Sequence, residues 1–139
     1  MTGRVLVPFD GSPHSQRALE FAFDNFPAAD VTAMYVIEIP EIPVFDDEER
    51  GLPVTRRARE FAESVLEEAS EMAAGRDRDL ETVVETGHAA SRIIERADEE
   101  SYDTIVLGSH GRTNVSDALL GGVTEKIVRT ASVPVVVVR

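Results

Sequence analysis

Apolar positions along the chain fall into two alternating rhythms. Short, nearly continuous runs read as buried strands: Arg4 to Phe9, Val31 to Ile37, Leu80 to Thr86, Thr104 to Leu107 and Val135 to Val138. The segments between them carry apolar residues at helical spacing. Leu19, Ala22, Phe23 and Phe26 make the first stripe, with Ser12 placed to cap it and Pro13 at its first position. Ala58, Phe61, Val65, Ala69 and Met72 make the longest stripe, from Val54 to Ala74, and Gly75 stops it. Gly87 opens the next helix, in which Ala90, Ile93, Ile94 and Ala97 form the buried face; Val123, Ile127 and Ala131 do the same in the last. Strand and helix alternate throughout, which predicts an α/β fold with a mostly parallel sheet covered by helices on both faces.

Two interruptions carry more than punctuation. Glu38 to Pro53 holds three prolines, Gly51 and the acidic run Asp46 to Glu49, which reads as a long surface loop. Val115 to Ala131 would be one helix but for Gly121 and Gly122, each worth roughly 1 kcal/mol against a helix interior. A short turn over Val115 to Leu120 and a fresh helix start near Gly122 fit better. Free backbone N–H groups at such a start favour an anion, and residues without Cβ let phosphate oxygens come close. In an open parallel sheet, ligands sit beyond the carboxyl ends of strands where the strand order reverses. The two strand ends with unusual turn chemistry are Pro8 to Ser12 and Gly108 to Gly111, so strands one and four are expected to be neighbours there.

Composition narrows the ligand. The net charge of −12, from 26 acidic and 14 basic residues, argues against nucleic acid, which needs rows of cations. Lys126 is the sole lysine, and so acidic a surface is expected of a protein adapted to high salt. With no cysteine there is neither a disulfide scaffold nor a thiolate metal site. The 139 residues suit one domain, and no apolar stretch approaches the ~20 residues of a membrane span, so a soluble cytoplasmic protein is expected. Neither Gly-x-x-x-x-Gly-Lys-Ser/Thr nor a first-strand Gly-x-Gly-x-x-Gly is present, which excludes the common P-loop and dinucleotide readings.

The glycine spacing has another likeness. Gly108, Gly111 and Gly121, the first two within Gly108-Ser-His-Gly-Arg-Thr-Asn, resemble the ATP-binding branch of the universal stress protein family. So do Val7-Pro8-Phe9-Asp10-Gly11-Ser12, Tyr35-Val36-Ile37-Glu38 and Val133-Pro134-Val135-Val136-Val137-Val138. The resemblance covers nearly the whole chain, residues 1–139, as a single domain. It implies a Rossmann-like open sheet of five parallel strands in the order 3-2-1-4-5. It also implies that Asp10 bonds the ribose, that Pro8, Phe9 and the backbone of Val36 contact adenine, and that Gly108, Gly111, Arg112, Gly121, Gly122 and Val123 hold the phosphates. ATP, ADP or AMP would be the ligand, with Mg2+ as the companion ion, and the last strand, Val135 to Val138, would pair two copies into a homodimer.

One position departs from the family pattern. Gly122 stands where ATP-binding members carry Ser or Thr, so a hydroxyl expected at the terminal phosphate is missing, and Thr124 is the nearest substitute. This leaves three functional alternatives: a nucleotide-binding regulatory module, a dimeric interaction protein that has lost ATP, and an ATP hydrolase or phosphotransferase using His110. No Ser/His/Asp order, metal-binding histidine spacing or catalytic carboxylate pair emerges, so His110 is expected to be a packed loop residue and any hydrolysis slow.

Overall fold

The computed structural model describes residues 3–38, 55–110 and 120–139. The expected loop from residue 39 onward, the turn over 115–119, and both Gly111 and Arg112 lie outside the described residues. Strands β1 (Arg4–Pro8), β2 (Asp30–Glu38), β3 (Glu81–Gly87), β4 (Thr104–Gly108) and β5 (Val135–Val138) alternate with helices α1 (Pro13–Asn25), α2 (Arg56–Gly75), α3 (Ala89–Glu99) and α4 (Gly122–Thr130). The sheet is parallel at every described pairing and runs β3-β2-β1-β4-β5. Strands one and four are neighbours, as expected.

The period-two alternation of the strands sorts two cores onto opposite faces. Val5, Val7 and Phe9, from β1 and its exit, with Val31, Ala33 and Val106, pack against Leu19 and Phe23 of α1 and Val65 and Leu66 of α2. Leu6, Met34, Ile105 and Leu107 face the other way, onto Ile93 of α3 and Ile127 of α4. The central strands are therefore buried on both sides, which is why they read as continuous apolar runs.

Local chemistry fixes the helix ends. Ser12 caps α1, its Oγ accepting from the Ser15 amide at 3.2 Å, and Pro13 follows it; such a cap is worth about 1 kcal/mol. At the other end of α1, Arg78 reaches in from the loop before β3. It donates to the carbonyls of Phe23, Phe26 and Ala29 at 2.8, 3.2 and 3.2 Å. A cation there satisfies orphan carbonyls at the negative end of the helix.

Three local expectations are corrected. Gly87 ends β3 at φ +134° rather than opening α3, whose N-cap is His88. In α2 the buried face runs through Ala62, Val65, Leu66, Ala69 and Ala73, so Phe61 lies at its margin, 45% exposed and edge-on to Tyr35 at 6.2 Å. In α4 the buried positions are Thr124 and Ile127, and Val123, 39% exposed, lies outside that buried face. The stripe through α4 is short because its start is held at the sheet rather than laid along it.

Candidate functional site

Beyond the carboxyl ends of β1, β2 and β4 the sheet opens. β1 is paired with β2 over five residues, up to Pro8 against Met34, but with β4 only at Val5–Thr104 and Leu6–Ile105. Into the split between β1 and β4 sits the first turn of α1. A Cβ on Gly108 would lie 2.7 Å from the His14 backbone, so the glycine is required by helix-to-sheet packing at that point. Motif spacing alone groups it with the glycines that admit a phosphate.

A cleft of about 570 Å³ fills the space above the split, within the range of about 300 to 1,000 Å³ usual for small-molecule sites. Its floor and walls are apolar: Met34 and Val36 from β2, Leu107 from β4, and Ala89 and Ile93 from α3. Met34, Val36 and Glu38 follow one another on one face of β2 by period-two alternation, and all three line the cleft. Beyond Pro8, β2 continues without β1 beside it. Met34 still receives the Phe9 amide, at 2.8 Å. Ladder alternation then turns the N–H and C=O of Val36 toward the same vacated side. That leaves a donor and an acceptor at the apolar end of the cleft.

The turn after β1 supplies the carboxylate. Asp10 lines the cleft, and its Oδ1 accepts from the Ser12 amide at 2.9 Å, which ties the β1 exit to the α1 cap. Pro8 and Phe9 line it too, although Phe9 is 1% exposed and its side chain belongs to the first core.

The far end is built by β4 and α4. The Gly121 amide donates to the Ser109 carbonyl at 2.9 Å, and the Thr124 hydroxyl to the Gly108 carbonyl at 2.8 Å. Two bonds thus latch the start of α4 to the end of β4. Thr124 spends its proton there, so it is a latch before it is a replacement hydroxyl. Gly121, Gly122 and Val123 line the cleft, and among the described residues no side chain caps α4. Among those residues nothing lies within 4 Å of a Cβ built on Gly122. His110, 5% exposed, lines the same end; its Nδ1 is 3.1 Å from the Ser109 hydroxyl and its ring meets His14 edge-on at 5.1 Å. Ser109 is 1% exposed, so this hydroxyl–imidazole contact offers no nucleophile to a substrate.

The structure therefore brings Pro8, Phe9, Asp10, Val36, Gly108, Gly121, Gly122 and Val123 to one cleft. Met34, Leu107, Ala89 and Ile93 join them there without any motif to mark them. Period-two alternation along β2, counted from Val36, is the signal that finds Met34. Among the described residues no group of three or more His, Asp or Glu could hold a metal ion.

An open parallel sheet of five strands with a cleft at its switch point is a Rossmann-like α/β architecture. The chain belongs to the universal stress protein family, whose profile matches residues 1–139. It is 30% identical to the universal stress protein MJ0577 of Methanocaldococcus jannaschii over 155 aligned residues, covering 100% of this chain and 96% of that protein. The solved structure of MJ0577 superposes with a TM-score of 0.69 at 29% identity, covering 99% of this chain and 96% of that one. Likeness of fold extends to a universal stress protein in complex with cAMP, with a TM-score of 0.68, 23% identity and coverage of 99% and 96%. It extends also to an Arabidopsis thaliana family member with AMP bound, with a TM-score of 0.71, 17% identity and coverage of 98% and 90%.

Proposed function

We propose that this universal stress protein is an adenine-nucleotide-binding regulatory module that takes ATP, ADP or AMP in the switch-point cleft. The observation that carries the reading is the order of chemistry along that cleft. An apolar slot with the open N–H and C=O of Val36 suits the edge of an adenine. Asp10 stands next, where a carboxylate can accept both hydroxyls of a ribose. The bare start of α4, with Gly121, Gly122 and Val123, follows at the phosphate end. Relatives of this fold solved with cAMP and with AMP support an adenine nucleotide. Mg2+ would enter on the phosphates, Gly111 and Arg112 would complete the phosphate end, and such a ligand fits a cytoplasmic protein. No described helix is long and apolar enough to cross a membrane.

Calorimetric titration with ATP, ADP and AMP, with and without Mg2+, at low and molar salt, tests the reading. Saturable micromolar binding is expected. Asp10→Asn keeps an acceptor for the Ser12 amide but removes the charge, so it should weaken all three nucleotides by roughly ten- to a hundredfold, the worth of a charge-assisted bond. If none of the three binds at any salt, the reading fails and the missing hydroxyl at Gly122 favours an interaction protein without a nucleotide. In either case β5, an edge strand of four valines, is the surface through which two copies would pair. Sedimentation showing only monomer at micromolar concentration would refute that pairing.

A further inference from the structure

Besides Asp10, the cleft holds the carboxylate of Glu38. This residue closes β2 and lines the cleft from the same strand face as Met34 and Val36. One strand period, about 7 Å, separates it from Val36. It is exposed, and among the described residues nothing is hydrogen-bonded or ion-paired to its carboxylate. Arg92 stands near: Glu38 is paired in register with Gly87, and a Cβ on Gly87 would lie 3.1 Å from the Arg92 side chain. That guanidinium is already committed, to Glu85 at 2.8 Å and to Glu95 at 3.0 Å. An acceptor therefore stands open at the end of the apolar slot.

The backbone alone leaves the choice of purine open. On the side of β2 that β1 vacates, polar groups come in a fixed order, since amide precedes carbonyl in each residue and alternate residues share a side. The Met34 carbonyl is taken by the Phe9 amide, so the order continues with the Val36 N–H, the Val36 C=O and then the Glu38 N–H. The first two of these, donor then acceptor, match N1 and the 6-amino group of an adenine. The last two, acceptor then donor, match the N1–H and 6-oxo group of a hypoxanthine or guanine moved one group along the strand. In both poses the 6-substituent is the end of the base directed toward Glu38. A carboxylate accepts from an amino group and repels a carbonyl oxygen, which breaks the tie.

We infer that Glu38 sets the base specificity of the cleft, its carboxylate accepting from the 6-amino group of an adenine and turning away 6-oxopurines. The inference rests on the adenine-nucleotide reading above and deepens it. The Val36 edge selects a purine, and Glu38 selects the aminopurine.

A charge-assisted bond from the amino group is worth about ten- to a hundredfold in affinity. Water reaches the exposed carboxylate and screens part of its field, so the discrimination is graded rather than absolute. Glutamine at the same position keeps the length and shape of the side chain but presents either end of its amide. It can accept from an amino group or donate to a carbonyl oxygen, and it repels neither.

Titration of wild type and Glu38→Gln with ATP and with ITP, its 6-oxo counterpart, tests this. Both ligands carry the same ribose and triphosphate, so the rest of the cleft cancels from the ratio of their affinities. Wild type should prefer ATP by about a hundredfold, and in Glu38→Gln that preference should fall about tenfold, most of it as tighter binding of ITP. A gain for ITP cannot come from a damaged fold, and an exposed residue at a strand end should leave the melting temperature unchanged. The same ATP to ITP ratio in both proteins would overturn the inference and leave the nucleotide reading standing. So would a wild type that binds ITP as tightly as ATP, whereas a wild type that binds neither, at low or molar salt, overturns both.

Discussion

Gly108, Gly121 and Gly122 are alike in the sequence and unlike in space. A methyl at Gly108 would meet the backbone of His14 at 2.7 Å, at Gly121 the Cα of His110 at 3.4 Å, and at Gly122 nothing within 4 Å among the described residues. Gly108→Ala should therefore destabilise the fold by about 1 to 3 kcal/mol in denaturant titration, as overpacking against an immovable backbone does. Gly122→Ser has room, and serine is a better cap than glycine by a few tenths of a kcal/mol, so stability should be unchanged or slightly raised. If α4 meets the phosphates, the same change should raise the ATP to AMP affinity ratio several-fold in calorimetry. The sequence could mark these glycines as a site because their spacing is unusual after a strand. It could not divide their labour, because the atom that excludes a side chain at Gly108 belongs to a residue 94 positions earlier.

The four described helices were legible as elements because amphipathic periodicity is local, but the clamps that fix them were not. Arg78 caps α1 from more than fifty residues away, and nothing in its own neighbourhood announces it. The same holds for α3, which is tied to β3 by Glu85, whose carboxylate accepts from Arg92 at 2.8 Å and Arg96 at 3.0 Å. The hydrogen bond from Arg92 holds the Glu85 carboxyl below its usual range, with the charges of Arg92 and Arg96 acting the same way and burial against it. A depressed folded-state pKa contributes stability that is present above the unfolded value and lost as pH falls through the folded one. Glu85→Gln should thus be less stable than wild type at pH 7, and the two should converge as the pH falls below the ordinary carboxylate range. Thermal melts across that interval measure it, and a gap that persists in acid would assign the clamp to packing instead.

At the scale of the molecule, alternation of strand and helix gave the fold class, and the turn chemistry after β1 and β4 placed those strands side by side. The cleft itself depends on how far each strand extends past its neighbour, and register is a tertiary property that no single run encodes. Its walls come from both halves of the chain: Pro8 to Asp10, Met34 to Val36 and Glu38 before α2, and Ala89, Ile93, Leu107, Gly108 and the start of α4 after it. The halves meet where β4 lies down beside β1, a pairing that joins Val5 to Thr104. Closing so long a loop is slow, and until it closes a ligand of the cleft would have nothing to hold. A ligand bound there can stabilise only what has already formed. If the cleft takes ATP as proposed, saturating ATP in stopped-flow measurements should leave the refolding rate unchanged and slow unfolding in proportion to occupancy, so that the nucleotide would act on the lifetime of the protein rather than on its birth.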